Sequence, residues 1–118
     1  MATVLVVDDS AFMRRRLVSL LHELGHETEE AADGGQAVQR YKQQRPHVVL
    51  MDITMPKVDG LEALRQLMAI DPSANIAMVT ALDQQAVVIE AMKAGAKAIV
   101  VKPYEPDKIK ATVEKLAA

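Results

Sequence analysis

Four short apolar runs in this chain each stop on a residue able to do chemistry. Thr3-Val4-Leu5-Val6-Val7 meets Asp8-Asp9, and Val48-Val49-Leu50-Met51 meets Asp52. Ile76-Ala77-Met78-Val79 meets Thr80, and Ala98-Ile99-Val100-Val101 meets Lys102-Pro103. Continuous runs rich in β-branched residues are the pattern of strands covered on both faces, which calls for a parallel sheet between helices. In open parallel sheets, sites form just beyond the carboxyl ends of the strands. One edge is therefore predicted to gather three carboxylates, a hydroxyl and an ammonium.

Between the runs the apolar spacing turns helical, the signature of repeated βα units. Strand 1 is expected over residues 3–8. Ser10 then caps a helix over 11–24 with Phe12, Leu17, Leu20, Leu21 and Leu24 inward, stopped by Gly25. Residues 27–32 read as a weak, acidic strand suited to a sheet edge. A helix over 35–44 follows Asp33-Gly34-Gly35 and ends before Pro46. Strand 3 covers 47–52, and a loop from Ile53 to Asp59 contains Pro56. Gly60 opens a helix carrying Leu61, Leu64, Leu67 and Met68 that closes near Asp71-Pro72. Strand 4 (75–80), a helix (84–94), strand 5 (97–102) and a last helix (107–117) complete the chain. Right-handed crossovers and an edge position for strand 2 give a flavodoxin-like (βα)5 three-layer sandwich with strand order 2-1-3-4-5. In that order strands 1 and 3 are neighbours, so Asp8, Asp9 and Asp52 converge.

With 118 residues the chain is expected to be a single domain, residues 1–118, large enough for a real core. Fourteen basic and sixteen acidic residues leave a formal charge of −2, which offers no general nucleic-acid or membrane surface. The absence of cysteine excludes disulfides, thiol nucleophiles and thiolate metal sites. The first apolar stretch stops at Asp8, too soon for a signal peptide, and a cytoplasmic location is the default expectation.

Converging carboxylates repel one another, and the usual remedy is a hard divalent ion on oxygen ligands, for which Mg²⁺ with retained waters fits. Lys102 adds a second positive charge, and Thr80 a neutral donor and acceptor. A cation, an ammonium and a hydroxyl around a carboxylate suit phosphoryl transfer, with the carboxylate itself as nucleophile. His22-Glu23-Leu24-Gly25-His26 also matches the zinc-hydrolase pattern H-E-x-x-H, which needs both histidines on one helical face. Gly25 is expected to end the helix and take His26 off that face.

Asp8-Asp9, Asp52, Thr80 and Lys102-Pro103, in this order and spacing, resemble the receiver domains of two-component response regulators over the whole chain. Asp8-Asp9-Ser10-Ala11-Phe12-Met13, Met51-Asp52-Ile53-Thr54-Met55-Pro56 and Ala94-Gly95-Ala96-Lys97 resemble in particular the stand-alone chemotaxis, or CheY-like, type. The resemblance implies that Asp52 accepts a phosphoryl group from a phosphohistidine on a sensor kinase or phosphotransfer protein. Asp8, Asp9, Asp52 and the backbone carbonyl of Thr54 would hold Mg²⁺, with Asp8 acting largely through water. Lys102 would pair with one phosphoryl oxygen, and Thr80 would move to bond another, biasing the surface of helix 4, strand 5 and helix 5 toward a target such as a flagellar motor component. The same resemblance implies a cis Lys102-Pro103 bond. It also implies a monomer able to dimerise on activation, and self-catalysed phosphorylation and dephosphorylation without a turnover substrate. No output domain, nucleic acid or membrane enters this picture.

The chain departs from the family's pattern in two ways. Ile99 stands where many members carry the Tyr or Phe of an aromatic switch, so no aromatic rotamer can report on Thr80. Thr54 and Leu82 occupy the positions that tune phosphoryl lifetime, and neither is an acid or carboxamide able to guide water, so very fast hydrolysis is not expected. Other readings stay open at this point. A stand-alone receiver can serve a phosphorelay outside chemotaxis. A haloacid-dehalogenase-type phosphatase uses the same residue types but needs its nucleophile near residue 8 in a D-x-D pattern, where this chain has Asp8-Asp9-Ser10. Helix 4 (Ala86, Val87, Val88, Ile89, Ala91, Met92) is apolar on more than one face, so it either packs deeply or offers a binding patch.

Overall fold

The computed structural model describes residues 2–53, 59–81 and 85–118. Strands and helices alternate as β1 (Thr3–Val7), α1 (Ala11–Glu23), β2 (Glu27–Ala31), α2 (Gly34–Gln44), β3 (Val48–Asp52), α3 (Gly60–Ile70), β4 (Ile76–Ala81), α4 (Gln85–Ala94), β5 (Ala98–Lys102) and α5 (Pro106–Ala117). The ladders are parallel and the order is β2-β1-β3-β4-β5, as the sequence predicts. The end of the loop at Asp59 is described, whereas Pro56 and residue 84, the expected start of the fourth helix, lie outside the described residues.

Alternation along each strand builds two cores from one sheet. Leu5, Val7, Val49, Met51, Ile76 and Met78 pack toward α2, α3 and α4, where Val38, Leu64, Leu67 and Ala91 meet them. Val4, Val6, Val48, Leu50, Val79 and Val100 pack toward α1 and α5, against Leu17, Leu21, Ile109 and Val113. Leu64 and Leu67 are fully buried, and each such side chain contributes about 1.5–3 kcal/mol of hydrophobic stabilisation. β2 pairs with β1, and Ala31 is its one buried residue, the wet edge that its glutamates predict.

The capping chemistry explains where the helices begin. The Ser10 side chain accepts the Met13 N–H, Asp33 accepts that of Gln36, and Asp59 accepts that of Glu62. α2 ends with Arg45 in the left-handed region (φ 45°), held by its N–H to the Tyr41 carbonyl, before Pro46. At the far end of the sheet, the Tyr41 hydroxyl donates to Asp71 Oδ2 over 2.7 Å, joining α2 to the end of α3.

One expectation changes and one open alternative closes. Phe12 does not face inward with Leu17 and Leu21: it is 69% exposed, and the Arg16 guanidinium lies 5.8 Å from its ring centroid. At the helical period Phe12 sits about 140° from Leu17 and about 180° from Leu21 around α1, on the solvent side rather than on the face that meets the sheet. α4 does not pack deeply. Ala91 is its one buried residue, while Ile89 and Met92 stand 57% and 47% exposed.

Candidate functional site

β1 and β3 pair with Val7 opposite Met51, which puts the residues that follow them at the same end of the sheet. Side-chain oxygens of Asp8, Asp9 and Asp52 lie within 4.8 Å of one another. β4 and β5 continue the edge: Asp52 is in register with Val79, Thr80 with Val101, and Ala81 with Lys102. The Lys102 ammonium reaches across, its Nζ 3.3 Å from Asp52 Oδ2 and 3.9 Å from Asp8 Oδ2. The carboxylates of Asp8 and Asp52 are largely shielded, at 13% and 12% side-chain exposure, whereas Asp9 is exposed on the rim. Thr80 is buried beside them. The Lys102-Pro103 peptide is cis, as the resemblance implies. Thr54 and Leu82 lie outside the described residues.

Two residues that the sequence reading did not place at the site help to build it. Gly60, the first residue of α3, comes so close to the end of β3 that a β-carbon there would stand 2.7 Å from the Ile53 α-carbon and overlap the Asp52 carbonyl oxygen. Its N–H donates to the Ile53 carbonyl at 2.9 Å. Only a residue without a side chain lets the helix close on the strand carrying Asp52. Arg14 on α1 reaches back to the Asp8 carbonyl, its Nη1 at 2.7 Å, and its Nε bonds Glu30 Oε1 on β2 at 2.9 Å. Neither role shows in spacing, because a helix-opening glycine and a surface arginine are common on any chain.

Met13, Arg16, Lys102, Pro103 and Tyr104 line a groove of about 270 Å³ beside the site. Burial pushes the Tyr104 phenol above its ordinary range, with the charges of Arg16 and Lys102 pulling the other way. Ile99 is partly buried against the α2–α4 core, in register with Met78.

The donor set of the acid cluster is hard oxygen, which fits a hard divalent cation. The histidines are engaged elsewhere. His22 Nε2 shares a hydrogen bond with Thr28 Oγ1 at 2.9 Å, and His26 Nδ1 accepts the Ala2 N–H at 3.1 Å. α1 ends at Glu23 and Gly25 takes φ +89°, so the H-E-x-x-H face does not form. His47, at the opposite end of the sheet, accepts the Thr3 N–H.

These features define a flavodoxin-like α/β domain with an acidic pocket at the strand-order switch point. The sequence matches the response regulator receiver domain over residues 4–114. It is 46% identical over 115 residues to the chemotaxis protein CheY of Thermotoga maritima, covering 97% of this chain and 96% of that one. It is equally, 46%, identical over 117 residues to the protein CcdB of Bacillus subtilis, covering 98% of each. The fold superimposes on a response regulator receiver domain protein from Clostridium thermocellum with a TM-score of 0.95 at 25% identity, covering 99% of this chain and 94% of that one. The chain belongs to the response regulator receiver domain family and is homologous to the CheY chemotaxis proteins. That family is neither of the two hydrolase families whose patterns the sequence also touches.

Proposed function

We infer that Asp52 is the phosphoacceptor of this receiver domain, working with a sensor histidine kinase or phosphotransfer protein. The observation that carries this reading is the Asp52 carboxylate, shielded among two further aspartates and 3.3 Å from the Lys102 ammonium. An Asp52 oxygen attacks phosphorus as the P–N bond to the donor histidine breaks, and the imidazole leaves with the electron pair. Asp8, Asp9, Asp52 and the Thr54 carbonyl would hold Mg²⁺, which when bound supplies positive charge to the transferring oxygens. Lys102 neutralises a further oxygen, and the Thr80 hydroxyl donates to another.

The new charge, about −1.5 to −2 at neutral pH, biases the surface of α4, β5 and α5 between two states. Ile89 and Met92 on α4 and Val101 on β5 are exposed apolar residues on that surface, which suits a protein target such as the flagellar motor switch. The turnover is of its own phosphoryl group, with no separate substrate.

Incubation with Mg²⁺ and acetyl phosphate, read by intact mass, tests the acceptor: wild type gains one phosphoryl adduct and Asp52→Asn gains none. An adduct on Asp52→Asn at wild-type occupancy overturns the assignment. The equal likeness to CcdB favours testing a second pathway. Beryllofluoride-dependent binding to a purified flagellar switch protein supports chemotaxis, and binding only to a phosphotransfer protein supports a phosphorelay outside it.

A further inference from the structure

Asp8 is held at three points while its neighbour Asp9 stays on the rim. The Asp8 N–H donates to the Ala31 carbonyl at 3.2 Å, Asp8 Oδ1 accepts the Ser10 N–H at 2.9 Å, and the Asp8 carbonyl accepts Arg14 Nη1 at 2.7 Å. The last of these is the shortest and the only one of the three made by a charged donor. Arg14 is itself fixed, since Nε bonds Glu30 at 2.9 Å and its side chain is 16% exposed. One guanidinium thus ties together the end of β1, the first turns of α1 and the edge strand β2.

The Asp8 carbonyl belongs to the peptide that joins Asp8 to Asp9. Fixing that oxygen fixes the peptide plane, and with it the Asp9 nitrogen and α-carbon from which the carboxylate is carried. We propose that Arg14, braced by Glu30, is a positioning residue that sets the divalent-cation affinity of the aspartate cluster by orienting the Asp8–Asp9 peptide. This rests on the cation-binding reading above. The task needs the arginine fork: a lysine carries the same charge but lacks the planar pair of donors that bonds Glu30 and the carbonyl together.

Geometry and simple charge predict opposite signs here, which makes the idea testable. A positive charge near a cation site repels the cation, so removing it for electrostatic reasons alone tightens binding. Loss of positioning weakens binding, typically about 10- to 100-fold for groups that orient metal ligands. Mg²⁺ affinity is measured by calorimetry on the unphosphorylated full chain, with Asp9→Asn as the control that abolishes binding. Arg14→Met and Arg14→Lys are both expected to weaken Mg²⁺ binding about tenfold or more, and Glu30→Gln less. In the metal-free protein, the amide NMR signals of Asp9 and Ser10 should shift in both Arg14 variants while the signals of β4 and β5 stay in place.

Unchanged or tighter binding in Arg14→Met overturns the proposal, as does full retention of affinity in Arg14→Lys. A lowered melting temperature with unchanged Mg²⁺ affinity marks a merely structural residue and overturns it too. If wild type binds no Mg²⁺, or Asp9→Asn binds it as well as wild type, the cation-binding reading itself fails and the proposal falls with it.

Discussion

Tyr41 on α2 donates its phenolic proton to Asp71, the residue that caps the end of α3, across 2.7 Å. The Arg45 guanidinium lies 3.4 Å from the same carboxylate and 5.5 Å from the Tyr41 ring centroid. Burial, reinforced by the bond to Asp71, pushes the Tyr41 phenol up to about 12 from 10.0. The bond from Tyr41, together with the Ser73 N–H, holds the Asp71 carboxyl below its ordinary 3.8. A raised phenol stabilises the fold fully below its unfolded value and loses that contribution as pH climbs from 10.0 through about 12. A lowered carboxyl contributes above its unfolded value and loses it as pH falls below 3.8. Tyr41→Phe should therefore lower the melting temperature by roughly 3–6 °C at neutral pH. The gap from wild type should close as pH rises toward 12. A gap that persists unchanged through that range would refute the linkage.

Gly60→Ala should cost at least about 2 kcal/mol in urea denaturation, because the added carbon meets backbone that cannot rotate away. Gly35 on α2 is the control. A β-carbon there meets only Asp33 Oδ1, at 3.4 Å, and Gly35→Ala should stay within about 0.5 kcal/mol of wild type. Equal costs at the two positions would mean that the approach of α3 to Asp52 relaxes freely.

Lys102→Met should separate binding from chemistry. With the ammonium gone from beside Asp52 and Asp8, Mg²⁺ should bind on the order of fivefold more tightly, from a Coulomb contribution of about 1 kcal/mol. Phosphorylation by acetyl phosphate should fall by about two orders of magnitude or more, since the transferring oxygens lose a positive partner. Calorimetry and intact mass read the two effects. A phosphorylation rate that stays at the wild-type level would remove Lys102 from the proposed chemistry.

Ile89→Ser and Met92→Ser should leave stability within about 0.5 kcal/mol, as exposed side chains do. Leu64→Ala, beneath the same layer of helices, should cost about 2–5 kcal/mol. Both α4 variants should weaken capture of the beryllofluoride-dependent target. Wild-type capture by the double variant would place the target surface elsewhere.

The strand order was legible because β1, β3 and β4 are covered on both faces and β2 is not, and that contrast is written directly in Val and Ile against Glu. Asp8, Asp9, Asp52, Thr80 and Lys102 could be picked out because each lies within two residues of the carboxyl end of a strand. Phe12 breaks the expectation because an apolar side chain was read as inward although helical period sets it opposite Leu21. Gly60 and Arg14 were invisible for a different reason. Their contributions depend on a backbone approach and a reach across six residues, neither of which leaves a periodic trace. The ambiguity at α4 was real in the sequence, since an apolar helix face looks the same whether covered or waiting.

The acidic edge of the sheet has a consequence for behaviour in concentrated solution. β2 offers an open row of backbone donors and acceptors, yet Glu27, Glu29 and Glu30 line it with negative charge, and Arg14 and Arg40 pair with two of the three. Two copies meeting edge to edge would oppose carboxylate to carboxylate before any ladder could form. By that repulsion β2 is built to refuse a sixth strand.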